Sequence, residues 1–353
     1  MVTGDGVVSD RCDPSDRGTP AAVAAHGSGV LALIGNTPLI TLVHVSNELG
    51  HNVLAKLEHL NPSGSVKDRI ALYVIEQTEK QGLIHRGDLI VDNSSGNTAI
   101  SVAMVASVKG YRTLFTVPDK TSQEKVDLIK ALGSEVVVCP TDVPHEHPDG
   151  YYQAARRIAR ERGAYLFDQY NNPLNIESHY ATTGPEIWGQ TAGKVDVFVA
   201  GIGTGGTLSG TARYLKERNP SIRIIAVDPV GSVFHSLFYF NKLSESGRYQ
   251  VEGIGSDTPC GALDMSVIDE VIQVDDHEAF ASARRLVRDE GLLVGGSSGS
   301  AVAGLATWAR RQPKGNALNI VTILPDSGMR YLSKFLNDSW MREAGFSLSG
   351  QSC

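Results

Sequence analysis

Val195-Asp-Val-Phe-Val-Ala-Gly-Ile-Gly-Thr-Gly-Gly-Thr207 runs from an apolar, β-branched strand into a glycine-rich turn and on into a segment of helical period. That order points to an α/β fold, because a buried strand feeding a helix through a tight turn is the repeating unit of an open sheet. The turn also suggests a ligand. Backbone N–H groups at a helix N-terminus carry partial positive charge and suit a phosphate dianion. Read literally, Gly201, Gly203 and Gly206 spell the dinucleotide spacing GxGxxG, and the next strand ends in an acid, Asp228. A nicotinamide oxidoreductase is therefore one reading. Thr204 and Thr207 favour another, since two hydroxyl donors in the loop suit a terminal phosphate monoester better than a bridging pyrophosphate. A third needs no ligand, only a glycine turn required for tight packing.

Outward from that stretch, β-branched runs alternate with helical periods along the chain. Strands are predicted over 53–56, 89–91, 113–117, 135–138, 195–200, 223–227 and 319–324, and helices over 68–81, 99–109, 122–132, 151–162, 207–218, 279–290 and 300–310. At 353 residues the chain exceeds what one core usually serves. We expect a flexible leader over 1–28, an N-terminal α/β domain with a mobile substrate-binding part over 29–172, a C-terminal α/β domain with the phosphate cup over 173–346, and a tail over 347–353. The break is placed at Asn171-Asn172-Pro173.

Composition narrows the function class. With 32 Lys and Arg against 39 Asp and Glu, the formal charge of −7 argues against nucleic acid as the main partner. The 4 cysteines lie far apart with no CxxC pair, which suits a reducing cytoplasm. The N-terminus lacks a basic and apolar signal, and no apolar run is long enough to span a membrane, so neither secretion nor membrane insertion is expected.

Three further clusters carry possible chemistry. Asn61-Pro-Ser-Gly-Ser-Val-Lys67-Asp-Arg69 places one lysine between a glycine turn and a helix start, where the positive helix end and partial burial would favour a neutral, nucleophilic amine. Asp92-Asn-Ser-Ser-Gly-Asn-Thr98 crowds small hydroxyls around a glycine, able to hold a carboxylate or simply to cap a helix. Gly295-Gly-Ser-Ser-Gly-Ser300 offers Ser297 to a ligand nitrogen, although the sequence alone favours a helix cap. A lysine nucleophile, a phosphate cup, a carboxylate loop and a serine turn together describe a pyridoxal phosphate site.

The ordered motifs resemble the fold type II pyridoxal phosphate enzymes, specifically the cysteine synthase and cystathionine β-synthase family. Gly35-Asn-Thr-Pro38, NPSGSVKDR at 61–69, SSGNT at 94–98, GTGGT at 203–207, VEGIG at 251–255 and GGSSGS at 295–300 stand in family order. The stretches 323–340, 227–232 and 168–170 look more like the cystathionine β-synthase core. The resemblance implies a tryptophan synthase β-subunit-like architecture of two open α/β domains with the cofactor between them, and a homodimer. It implies that Lys67 binds pyridoxal 5′-phosphate covalently and acts as general base, that Asn97 meets the 3′-oxygen, that Gly203, Thr204, Gly205, Gly206 and Thr207 bind the phosphate, and that Ser297 faces the ring nitrogen. Ser94, Ser95, Thr98 and Gln169 would grip the substrate carboxylate. The implied activity is that of a lyase or transferase acting by β-replacement on serine or O-activated serine, through an aminoacrylate, to a β-substituted alanine of the cystathionine or cysteine type. The alternatives are a specialised synthase using an amine or other nucleophile, of the 2,3-diaminopropionate type, and more remotely an NAD-dependent oxidoreductase or a silent binding protein.

Departures from the family pattern bear on the second substrate. Ser94 and Ala99 stand where the family has Thr and Gly, and Ser256-Asp-Thr-Pro-Cys260 replaces a segment with two aromatic residues. The expectation is a nucleophile smaller than homocysteine, unless Phe234, Phe238 or Tyr239 covers the mouth instead, with Cys260 a packing residue. His145 and His147 lack further ligands and no metal is expected. Cys12 and His26 stand too close to Gly35 to match the family's haem ligands. The chain after Phe346 leaves no room for the regulatory module of longer relatives, so adenosylmethionine control through it is not expected.

Overall fold

A computed structural model describes residues 29–143, 147–313 and 315–348. The leader over 1–28, Cys12, His26, His145 and the end of the tail from 349 lie outside the described residues. The strands are β1 (Leu39–Thr41), β2 (Asn52–Leu57), β3 (Leu89–Asp92), β4 (Arg112–Pro118), β5 (Glu135–Cys139), β6 (Tyr165–Leu166), β7 (Val197–Gly201), β8 (Arg223–Pro229), β9 (Glu270–Val274) and β10 (Asn319–Leu324). The helices are α1 (Val43–Leu49), α2 (Lys67–Lys80), α3 (Asn97–Lys109), α4 (Gln123–Ala131), α5 (Tyr151–Arg162), α6 (Leu174–Ala181), α7 (Thr183–Gln190), α8 (Gly206–Arg218), α9 (Phe234–Phe240), α10 (Asp276–Asp289), α11 (Gly296–Ala309) and α12 (Asp338–Glu343).

They form a 6-stranded sheet ordered β1-β2-β10-β7-β8-β9 and a 4-stranded sheet ordered β5-β4-β3-β6. Only β1, against β2, is antiparallel. Parallel strands covered on both faces read as continuous apolar runs, and β3, β7 and β8 are buried along nearly their whole length.

The sheets do not follow the expected division at 172/173. β1 and β2 come from the first segment, yet β2 pairs with β10 from Asn52↔Asn319 to Leu57↔Leu324. The physical reason is shared burial, because Val53, Ala55 and Leu57 enter one core with Val197, Val199, Ile225 and Ile320. The smaller sheet packs its own core against α2 and α3, through Ile70, Val74, Ile90, Val102 and Phe115.

Every predicted helix and strand is present within a few residues at each end, and several elements are additional. The pair α6 and α7 escaped prediction because the buried face of α6 is mostly polar, formed by Leu174, Asn175, Ser178 and His179, so no apolar period marks it. The cap expected at Ser297 and the capping alternative at 92–98 are both absent. α3 begins after Gly96 and α11 after Gly295, and neither has a side-chain cap, so Ser297 sits inside the helix rather than at its cap.

Candidate active site

A cavity of ≈ 640 Å³ is lined by the loops leaving β3 and β4, the start of α2, the β7–α8 turn, the 252–255 segment, the start of α11 and the 329–333 turn. Of the residues singled out in the sequence, Lys67, Ser94, Ser95, Asn97, Thr98, Gln169, Gly203, Thr204, Gly205, Thr207 and Ser297 all line it. Gly206 lies just behind, at the first position of α8, and any Cβ there would collide with Asn175.

Lys67 is the first residue of α2. Burial lowers its pKa to about 8, while the charges of Asp326 and Cys260 act in the opposite sense. Its amine therefore loses its proton near pH 8, far more readily than an ordinary lysine does. The helix start is fixed by a buried ion network that the sequence did not reveal. Arg69 donates to Glu58 from Nε at 2.7 Å and to Glu186 from Nη1 at 2.7 Å, and Lys56 joins through Glu186 at 2.6 Å. Asp68 accepts from the Ser63 amide at 2.7 Å and from Ser101 Oγ at 2.6 Å, tying the 61–66 turn to α3.

The glycine turn opens α8 through Gly205, whose φ of +94 a side chain would strain. Its two hydroxyls are held from α6. Asn175 Nδ2 donates to Thr204 Oγ1 at 3.0 Å and to the Gln169 carbonyl at 2.7 Å. His179 Nε2 lies 3.1 Å from Thr207 Oγ1, with Nδ1 2.8 Å from Thr183 Oγ1. Burial and the nearby Arg69 and Lys67 charges push the His179 pKa well down, so this imidazole is neutral. Asn175 and His179 were missed in the sequence, and their spacing of one helical turn is the only signal that could have found them.

On the opposite side, Thr98 Oγ1 donates to Gln169 Oε1 at 2.6 Å. Asn97 is clamped, donating to Asp326 Oδ2 at 2.8 Å and accepting from Arg330 Nη1 at 2.6 Å. Tyr331 also donates to Asp326 Oδ2, at 2.7 Å. Asp228, the acid a dinucleotide would need, is fully buried and accepts the His235 amide at 2.9 Å, so it is turned inward and not offered to a ribose. Phe234 is a core residue and Tyr239 Oη bonds the Val271 backbone, so α9 does not cover the mouth. The aromatic residues at the cavity are Tyr151, Tyr170 and Tyr331. Cys260 is buried, its thiol pKa raised to about 11 by desolvation, which is the state of a packing residue. Among the described residues no group of three His, Cys, Asp or Glu side chains could hold a metal ion.

The donor set fits pyridoxal phosphate. It joins an amine of lowered pKa to a helix N-terminus whose first amides lack intrahelical acceptors, with two oriented hydroxyls beside them. The fold and this site define a fold type II pyridoxal phosphate enzyme. The model of the family described as "Pyridoxal-phosphate dependent enzyme" matches residues 30–326, and the chain belongs to that family. It is 45% identical over 320 residues to cystathionine beta-synthase of Rattus norvegicus, covering 90% of this chain and 56% of that protein. The chain thus spans little more than half the length of that relative. It is 41% identical over 305 residues to cysteine synthase of Staphylococcus aureus, covering 86% of this chain and 95% of that one. The crystal structure of O-ureido-L-serine synthase superposes with a TM-score of 0.81 at 35% identity, covering 90% of this chain and 99% of that chain.

Proposed function

We propose that this chain replaces the β-substituent of serine or an O-activated serine, releasing a β-substituted alanine of the cystathionine or cysteine type. The observation that supports this most is one cavity joining Lys67, its pKa lowered to about 8, to an anion-binding helix N-terminus and a loop of small hydroxyls. Pyridoxal phosphate, when bound, supplies an electron sink that lets an amino acid shed its β-leaving group.

Lys67 Nζ would hold the cofactor at its aldehyde carbon, and the turn from Gly203 through Thr204, Gly205, Gly206 and Thr207 would hold its phosphate. Asn97 would meet the 3′-oxygen. Ser297 would face the ring nitrogen as a neutral partner, which keeps the sink weaker than an aspartate would and favours β-loss. Ser94, Ser95, Thr98 and Gln169 would grip the donor carboxylate. Once freed, Lys67 Nζ takes the proton from the donor's α-carbon. Closure of the 93–98 loop on the carboxylate excludes water, which would otherwise divert turnover to hydrolysis.

The reading extends to a homodimer in the cytoplasm. The cytoplasmic part is supported by the free, buried Cys139 and Cys260, and the dimer rests on the family resemblance. No helix among the described residues is long and apolar enough to cross a membrane. The test is to incubate the holoenzyme with serine, O-acetylserine and O-phosphoserine and a panel of nucleophiles, with mass spectrometry of the amino-acid product. Borohydride fixation of the cofactor should tag Lys67. A tag on another lysine, or no β-substituted alanine from any donor, overturns the proposal.

A further inference from the structure

We infer that the outer part of the cavity is the second-substrate site and that it takes a nucleophile with an apolar body, a thiol or amine carrying a hydrocarbon or aromatic group rather than a terminal carboxylate. This rests on the β-replacement reading and narrows it, away from the cystathionine-type product and toward a cysteine-type product with an apolar substituent. Leu128, Met329 and Leu332 line the same cavity as Lys67, yet they are 45%, 61% and 51% exposed. Single exposed apolar residues need no explanation. Three of them, from α4 and from the 328–332 turn, converging on one concavity are the pattern of a ligand wall.

Tyrosines extend that wall. Tyr151 and Tyr170 line the cavity, and Tyr152 bridges them, with ring centroids 5.8 Å from Tyr151 and 5.9 Å from Tyr170. These rings come from the start of α5 and the turn after β6, not from the 256–260 segment.

The charges at the mouth point the same way. Besides Lys67, the cations lining the cavity are Lys125 and Arg330. Lys125 bonds Glu252 at 2.7 Å, and the same carboxylate takes Lys334. Arg330 spans Asn97 Oδ1 and the Ser63 carbonyl. A carboxylate on the nucleophile would enter beside Glu124 and Glu252, and the cations it could meet there already carry partners of their own. An apolar body displaces only water.

The reaction balances without a redox partner. The donor's β C–O bond breaks with its electron pair on oxygen, the C–S or C–N bond forms from the nucleophile's pair, and the nucleophile's proton leaves with the departing oxygen.

The test uses the holoenzyme with its best donor and compares phenylmethanethiol, 3-mercaptopropionate, L-homocysteine and sulfide. We expect kcat/KM for phenylmethanethiol to exceed that for 3-mercaptopropionate at least tenfold. A Leu128→Gln/Met329→Gln variant should lower the ratio of phenylmethanethiol to sulfide at least fivefold. Leu332→Gln alone, a milder surface change, should lower it in the same direction and guards against misfolding of the double variant. Better use of 3-mercaptopropionate or homocysteine, or an unchanged ratio in both variants, overturns the inference. Donor-induced change in cofactor absorbance separates the two readings. If it occurs and selectivity is charged rather than apolar, only this inference fails. If no donor produces it, the β-replacement reading fails and this one with it.

Discussion

The two walls of the cavity are built to different standards. In the glycine turn there is no spare room. A Cβ on Gly203 would strike the Gly253 carbonyl, one on Gly205 would stand 2.6 Å from Leu263 Cα, and one on Gly206 would strike Asn175. Thr204 and Thr207 are pinned from behind by α6. Across the cavity, a Cβ on Gly96 would meet nothing within 4 Å, and Ser95, Gly96 and Asn97 are only half-buried. That loop is tied down at its far end, by Thr98 to Gln169 and by Asn97 to Asp326 and Arg330. In the proposed reaction the rigid wall would face the part of the cofactor that stays fixed through turnover, and the loose one the amino acid that must enter and leave, for which low local stability is what closure requires.

Five variants probe that contrast, and the largest effect belongs to the residue standing between the walls. Lys67→Ala should lower turnover roughly 10³–10⁴-fold or more, since it would remove the proposed general base and the proposed covalent anchor of the cofactor together. Steady-state assays with added cofactor check this. In reconstitution of the cofactor-free protein with pyridoxal phosphate, the rate of cofactor attachment should rise as the pH approaches about 8 from below, because the neutral Lys67 amine accumulates there. A rate that falls over the same range would place the required proton elsewhere.

Next, Thr204→Val with Thr207→Val should weaken pyridoxal phosphate binding by a few kcal/mol, each lost hydrogen bond to a charged group being worth about 1.5–3 kcal/mol. Equilibrium binding with the free cofactor measures it, and unchanged affinity would show that the backbone amides alone make the cup. The paired glycine variants sharpen the comparison further. Gly206→Ala should cost about 1–3 kcal/mol of stability through overpacking on Asn175 and should reduce cofactor affinity. Gly96→Ala should change stability by less than about 1 kcal/mol and act on the donor KM instead. Equal melting shifts for the two would erase the distinction between rigid and loose walls.

The rigid wall was also the more legible one. Its chemistry is written locally, in a strand, a glycine turn and a helix within 13 residues of sequence from Val195 to Thr207, where backbone constraints leave few alternatives. The start of α2 and the loop after β3 were readable for the same reason. What was not readable depends on contacts distant in sequence. Asn175 and His179 lie on a helix whose buried face is polar, so periodicity passes over it. The pairing of β2 with β10 joins the two ends of the chain, and strand composition does not name a partner. The ion network of Lys56, Glu58, Arg69 and Glu186 draws on four elements, none of which shows a charge pattern alone. The aromatic residues lining the cavity are Tyr151, Tyr170 and Tyr331, although the sequence directed attention to 256–260 and to α9.

An effect visible only as a pH dependence is expected at the root of the loose wall. Asp92 ends β3 directly before the 93–98 loop, fully buried, and neither carboxyl oxygen closes a hydrogen bond of good geometry. Desolvation raises its pKa to about 7, with the Asp168 charge adding to the rise and nearby backbone amides, first that of Asn93, opposing it. A carboxyl whose folded pKa lies above its unfolded value of about 3.9 binds more protons in the folded state between those two pH values. Its contribution therefore lowers stability as pH climbs through that window, and the loss is complete above about pH 7. Asp92→Asn cannot ionise, so its melting temperature should fall less than that of the wild type between pH 5 and pH 8, by the equivalent of about 1 kcal/mol or more. Parallel melting curves for the two proteins across that range would mean that Asp92 stays ionised in the fold and that the loose wall rests on a satisfied charge.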